Sequence, residues 1–281
     1  ALWETFGADV GDRLSLMSPA GPDSGLRAYV NVSGGFDTPV VLGSRSTHIG
    51  ARLGGIEGRA PKIDDEILIG PVTNPVPPGR RVPPKLLPQY GGDILVRVIP
   101  QDDLFDSDAT TTFYNSTYTV SDKSDRMGCR LEGAEVPAID GAHDIVSDGV
   151  LSGAIQIPGN ALPIILLADR QTTGGYPKIG VIASVDLALV AQASPGTTVR
   201  FERISAEDAS ALTRGRMAKL RNISFDEPTS GTVHSEELPR EYDIRVDGSE
   251  YHVEIITGMD EGQTSAIVNG IKYLVHIHPG E

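Results

Sequence analysis

The chain has 281 residues, with 38 acidic side chains against 24 basic ones and a formal net charge of -14. That balance excludes nucleic acid and an anionic membrane as partners, because phosphate binding needs clustered Lys and Arg. An apolar content of 39% suits a soluble globular protein, and 32 Gly with 20 Pro suit a β-rich fold with many tight turns. The single Cys129 excludes an intramolecular disulfide and fits a reducing compartment. No stretch reaches the roughly 20 apolar residues that span a bilayer. The first residues, ALWETFGADVGDRL, carry acidic side chains and no apolar run, so they do not read as a signal peptide. A cytoplasmic location is expected.

In chain order, residues 1–70 read as a first β half. Val30-Asn31-Val32 alternates as a half-buried strand, and Val40-Val41-Leu42 is an apolar run expected to be a strand covered on both faces. A polar loop follows, Arg45-Ser46-Thr47, then the pair Gly54-Gly55 and a turn-plus-strand at 63–69. Residues 71–89 are rich in Pro, which continues neither a helix nor a central strand, and predict an extended connector.

The second half, 90–223, opens with an alternating strand at 94–99. A short helix at 102–108 and a strand at 118–120 follow. Residues 153–172 then repeat 28–47 without a gap: Ile155-Gln156-Ile157 matches Val30-Asn31-Val32, Ile165-Leu166-Leu167 matches Val40-Val41-Leu42, and Arg170-Gln171-Thr172 matches Arg45-Ser46-Thr47. This internal duplication predicts two similar β units in tandem, with their first segments equivalent. A helix from Ser184 to Gln192 is expected with Ser184 as cap, then a turn-plus-strand unit at 195–201. A second helix starts at the capping box of Ser205 and carries Ala209, Leu212, Met217 and Leu220 at helical spacing. Residues 224–240 are a polar linker. The tail, 241–281, holds two strand–turn–strand patterns with Asp247-Gly248 and Asn269-Gly270 as hairpin turns.

The sharpest polar constellation is Asp169-Arg170-Gln171-Thr172-Thr173-Gly174-Gly175-Tyr176-Pro177-Lys178. A polar loop leaving a buried strand presents its side chains at the rim of a core, and the glycine pair lets backbone approach a ligand. Arg170 is suited to a carboxylate or carbonyl oxygen, and Lys178 to developing negative charge. Gln171 and the threonines are suited to an amide or a ureido ring. The alternative is a structural ion pair between Asp169 and Arg170. A second polar turn holds Asp125, Arg126 and Arg130, either in the site or as a latch. Asp148 sits in a Ser-Asp-Gly turn, and Arg45, Ser46 and Thr47 are the repeat equivalents of the Arg170 loop.

The six His form no metal signature; His276 and His278 share one strand face without a third ligand. The sequence contains no Gly-x-x-x-x-Gly-Lys-Ser/Thr loop, no Met-Lys-Met biotinylation motif and no Gly-x-Ser-x-Gly elbow. Cys129, without an adjacent His, reads as a small buried residue. Any ATP or biotin must then reach the reaction through other chains.

The strings SDRMGCRLEG (124–133), SDGVLSGAIQIPG (147–159) and ADRQTTGGYPKIG (168–180), with GSRST (43–47) and GIEGR (55–59), resemble the carboxyltransferase-domain family. That family takes in allophanate hydrolase subunit 2, KipA and the C subunit of 5-oxoprolinase, with the urea carboxylase domain more distant. The resemblance implies a mostly β fold of two tandem cyclophilin-like barrels, the first expected to lack its N-terminal part. It also implies a partner of the KipI or allophanate hydrolase subunit 1 type, and a small amide or lactam substrate. Three functions are open at this point. One is a 5-oxoprolinase C-type subunit, with Arg170 and Lys178 polarising the lactam and Asp125 or Asp169 orienting them. Another is a biotin-dependent amide carboxyltransferase. A third is a non-catalytic regulator that binds its partner.

Overall fold

The computed structural model describes residues 3–14, 16, 25–73, 75–101 and 103–224, and the backbone of four strands between 241 and 275. The chain divides into two compact units. One is drawn from Ala1–Ser18, Tyr29–Leu87 and Ser224–Glu281, the other from Pro19–Ala28 and Pro88–Ile223.

The second unit is built on a closed β-barrel. In chain order its strands are β1 (Ile94–Pro100), β2 (Tyr118–Val120), β3 (Gly128–Glu132), β4 (Asp148–Gly149), β5 (Ala154–Gln156), β6 (Ile164–Leu166), β7 (Thr173–Gly174), β8 (Lys178–Ile182) and β9 (Thr198–Arg203). Two of these, β4 and β7, pair with each other as a two-residue ribbon outside the barrel. Around the barrel the order is β1-β8-β5-β6-β3-β2-β9, and β9 closes the ring by parallel pairing with β1. Closure leaves no open edge, and the alternation of β1 sends Val96 and Val98 inward with no exposed surface. They meet Leu131, Ile155, Ile165, Ile179 and Val199, all fully or almost fully buried.

Among the described residues three α-helices accompany the barrel. α1 (Ser107–Asn115) begins at Asp106, whose carboxylate accepts from the Ala109 amide at 2.8 Å. It starts later than the expected helix at 102–108, because the capping carboxylate sits at Asp106. Its Phe113 stacks on Phe201 with centroids 4.4 Å apart and meets the edge of Tyr114 at 4.9 Å. Truncating so large a buried ring to Ala costs about 3–5 kcal/mol. α2 (Leu187–Ala191) starts after Asp186 rather than at Ser184. The Asp186 carboxylate is taken by Arg97, which donates from its backbone N at 2.9 Å and from its guanidinium at 2.8 and 2.5 Å. α3 (Ala206–Arg221) follows the expected capping box: Ser205 Oγ accepts from the Asp208 amide at 3.0 Å. Glu207 and Asp208 in its first turn and Lys219 and Arg221 in its last suit the helix dipole.

The two copies of the duplicated sequence fold differently. The copy at 153–172 supplies β5 and β6, bonded to β8 and β3 on either side. Within residues 3–93 no described residue belongs to a strand; pairing there is by isolated bridges, among them Glu4–Arg81, Phe36–Ile69, Val41–Ser44 and His48–Leu53. The run expected to be a doubly covered strand leaves Leu42 91% exposed, whereas its counterpart Leu167 is buried. A strand persists where neighbours satisfy its backbone, and the described residues of this unit offer the first copy no counterpart of β3 and β8. The mostly β character holds, carried by the barrel and by the tail. In the tail β10 (Glu241–Val246), β11 (Ser249–Ile256), β12 (Thr264–Val268) and β13 (Ile271–Val275) form an antiparallel meander. Val246 pairs with Ser249 and Val268 with Ile271, the spacing of two-residue loops. The Asp-Gly and Asn-Gly turns themselves, His276 and His278 lie outside the described residues.

Candidate functional site

Three loops of the barrel unit are joined by hydrogen bonds into one surface. Residues 145–150 run beside 172–175: Ile145 donates to the Gly175 carbonyl at 2.8 Å, Val150 to the Thr172 carbonyl at 3.0 Å, and between these bonds Asp148 pairs with Gly174 and Gly149 with Thr173. The turn at 125–128 is tied to 167–169, since Leu167 donates to Met127 and Asp169 to Arg126 through the backbone.

Lys178 is the pivot. The sequence reading places it in the polar loop; the structure makes it the first residue of β8, with only 6% of its side chain exposed. Its ammonium donates to Asp148 Oδ2 at 2.5 Å and to the Gly149 carbonyl at 3.3 Å. Asp148 stands at the surface, its side chain 65% exposed. The Lys178 hydrogen bond, with the Gly149 amide second, holds the Asp148 carboxyl below the usual carboxylate range.

Gln156 is a site residue that the sequence reading passed over. In Ile155-Gln156-Ile157 the alternation assigns the polar residue to solvent, yet all three are buried and Gln156 is 2% exposed. It pairs with Lys178 across β5 and β8, next to a bulge. Its Oε1 accepts from Gln171 Nε2 at 3.4 Å. Its own Nε2 is buried and has no hydrogen-bond partner among the described residues. Leaving such a donor unsatisfied costs on the order of 1–3 kcal/mol. Gly174 is the reason the amide fits: a Cβ there would lie 2.5 Å from Gln156 Nε2. A polar residue flanked by two isoleucines in an apolar run was the signal available in the sequence.

The other expected residues fall around this centre. Arg170 is half-buried and donates from Nε to the Val150 carbonyl at 3.3 Å. Asp169 is paired with Arg126, not with Arg170: the guanidinium reaches both carboxylate oxygens, at 2.7 and 3.0 Å, with both side chains largely exposed. Asp125 folds its own turn, accepting from the amides of Met127 at 2.8 Å and Gly128 at 3.0 Å. Arg130 lies in β3 rather than in the turn, exposed, its backbone N bonded to Ser124 Oγ. Thr172 and Thr173 are exposed, as is Tyr176 at 40%. Arg45, Ser46 and Thr47 belong to the other unit. There Arg45 pairs with Asp37 at 2.8 Å and donates to the Thr38 carbonyl, and Thr47 Oγ1 accepts from the Ile56 amide. That unit also has an open cavity of about 570 Å³ lined by Thr38, Val41, Arg52 and Leu68, with none of the expected site residues in its wall.

Cys129 is buried in β3, and burial pushes its thiol up to about 11, which leaves it unreactive near neutrality. Among the described residues no three His, Cys, Asp or Glu side chains gather as a metal site. No helix among them is long and apolar enough to cross a membrane. Chemically, the centre offers a buried ammonium, a guanidinium beside it on the same loop system, and a pair of primary amides.

The family described as carboxyltransferase domain, subdomain A and B, matches residues 1–203. The C subunit of the Escherichia coli (strain K12) 5-oxoprolinase is 36% identical over 199 residues, covering 71% of this chain and 62% of that protein. The urea amidolyase of Lachancea kluyveri is 29% identical over 225 residues, covering 71% of this chain and 12% of that protein. Among solved structures, the K. lactis urea amidolyase superposes with a TM-score of 0.60 at 23% identity, over 84% of this chain and 16% of that one; this likeness concerns the fold alone. The chain thus spans about 62% of the length of the bacterial relative.

Proposed function

We propose, for a chain that belongs to the carboxyltransferase-domain family, subdomains A and B, that it is the C-type subunit of an ATP-driven 5-oxoprolinase acting in the cytoplasm. The observation that carries this reading is the buried Lys178, which pairs across β5 and β8 with Gln156 of the Gln156–Gln171 amide pair. The 36% identity to the C subunit of a 5-oxoprolinase supports the choice of substrate.

In the proposed reaction, water adds its oxygen to the ring carbonyl carbon of 5-oxoproline. The ring C–N bond breaks, the nitrogen takes up a proton, and ATP hydrolysis to ADP and phosphate drives the opening. Lys178 and Arg170 stabilise the charge that grows on the carbonyl oxygen. Gln171, with Thr172 and Thr173, holds the amide, and Arg126 and Asp169 fix the neighbouring loop. The sequence contains no Gly-x-x-x-x-Gly-Lys-Ser/Thr loop, so ATP is assigned to partners of the KipI or allophanate hydrolase subunit 1 type.

The test is ATP-dependent glutamate release from 5-oxoproline by this chain co-purified with its partner subunits. Lys178→Met is expected to lower kcat at least about 100-fold, the scale of losing one preorganised charge stabiliser. Turnover that persists without this chain, or unchanged in Lys178→Met, overturns the reading. A biotin-dependent carboxyltransferase is the second reading, favoured by the 29% identity to a urea amidolyase; a primary amide pair suits a ureido ring as well as a lactam.

A further inference from the structure

We infer that Gln156 and Gln171 act together as a reader of the cis-amide edge, the side of a cyclic amide or cyclic urea on which N–H and C=O point the same way. The inference rests on the site proposed above and names what that site recognises.

The chain of hydrogen bonds sets the polarity. Gln171 Nε2 donates to Gln156 Oε1 at 3.4 Å, which uses one donor and one acceptor of the pair. The polar atoms outside that bond are Gln156 Nε2, which carries two N–H, and Gln171 Oε1. The donor, Gln156 Nε2, is buried without a partner among the described residues. Native proteins rarely leave such a group unsatisfied without a reason of use. Gln171 Oε1 takes part in no hydrogen bond among the described residues, and its side chain is half-buried. A donor nitrogen and an acceptor oxygen, both neutral and both outside that bond, complement a carbonyl and an N–H that a small ring holds on one edge. An open-chain secondary amide, which is trans, presents these groups on opposite edges.

Charge discriminates in the same direction. Gln156 is neutral, and Lys178, which pairs with it across β5 and β8, is already matched by Asp148 at 2.5 Å. A buried neutral donor of this kind is suited to a neutral oxygen and leaves any carboxylate of the ligand to the exposed side of the loops. Gly174 covers the donor, since a Cβ there would come within 2.5 Å of it. Gly174 belongs to a ribbon paired over two residues per strand, and a ligand oxygen reaches Nε2 when that ribbon shifts outward. A side chain at position 174 would block the approach as well as the resting state.

The experiment is ligand-observed NMR titration of the full chain, alone and with its co-purified partners. The probes are 2-pyrrolidinone, 2-imidazolidinone and N-methyl-2-pyrrolidinone, against wild type, Gln156→Leu and Gln171→Leu. The first two probes are expected to bind wild type, with Kd raised at least ten-fold in either variant. The N-methyl probe, which lacks the N–H, is expected to bind wild type at least ten-fold more weakly than 2-pyrrolidinone, and to lose little further in the variants. Equal affinities in wild type and variants, equal affinity for the N-methyl probe, or no binding by wild type overturns the inference. If Gln156→Leu does not fold, Gln171→Leu, on the loop, carries the same test. Probe binding that follows this pattern in a complex that releases no glutamate from 5-oxoproline overturns the oxoprolinase reading and leaves the amide reader standing.

Discussion

Lys178 and Asp148 are 30 positions apart and meet at 2.5 Å, one buried in the barrel wall and the other out on the ribbon. The pair is asymmetric, and so are its consequences. Removing the exposed carboxylate leaves a buried ammonium with the Gly149 carbonyl as its remaining acceptor. Removing the lysine leaves a carboxylate that water solvates. Asp148→Ala is therefore expected to lower the urea unfolding midpoint more than Lys178→Met, while Lys178→Met has the larger effect on turnover. Equal midpoints would mean that the pair carries no such asymmetry. The depressed Asp148 carboxyl also fixes a sign: its contribution is full above the ordinary Asp value and fades as pH falls through its lower folded value.

Gly174→Ala places a methyl 2.5 Å from Gln156 Nε2. Overpacking of this sort costs about 1–3 kcal/mol. A loss of several degrees in Tm is expected by calorimetry, together with a weaker lactam response. An unchanged Tm would show that the ribbon yields freely.

Arg126→Ala removes a two-pronged but exposed bridge to Asp169, with 65% and 42% of the two side chains exposed. Such pairs are worth less than about 1 kcal/mol. Denaturant unfolding is expected to shift within that limit, so a fall in turnover beyond two-fold in the same variant would report on the site rather than on folding.

Cys129 is expected to resist iodoacetamide at pH 8 in the native protein and to label fully in denaturant, the chain's single thiol giving a count of one. Burial raises the thiol to about 11 from its ordinary 9.0. Its contribution to stability is therefore complete below pH 9 and is lost as pH climbs from about 9 to about 11. Cys129→Ala should flatten that part of the Tm-versus-pH curve; an unaltered slope would assign it to other groups.

Much of the barrel was legible. The strands at 94–99 and 118–120 and the Ser205 helix depend on local periodicity and capping, and each stands where that chemistry puts it. The Arg170 loop was legible as a site candidate because polar residues and glycines follow an apolar strand. The partner of Asp169 was not: Arg126 lies 43 positions away and comes close only because β3 and β6 pair. Gln156 was hidden for a related reason. Alternation assumes one face in solvent, and here the 145–150 and 172–175 segments cover that face.

The duplication marks the boundary between the two kinds of information. The sequence alone determined that 28–47 and 153–172 are the same pattern, that the chain is β-rich and acidic, and which residue types could handle an amide. Only the tertiary structure decided that one copy becomes β5 and β6 while the other forms isolated bridges, and that Lys178 is a buried barrel residue. The physical reason is that periodicity says which face of a strand is apolar, whereas backbone hydrogen bonds and burial come from neighbours distant in the chain.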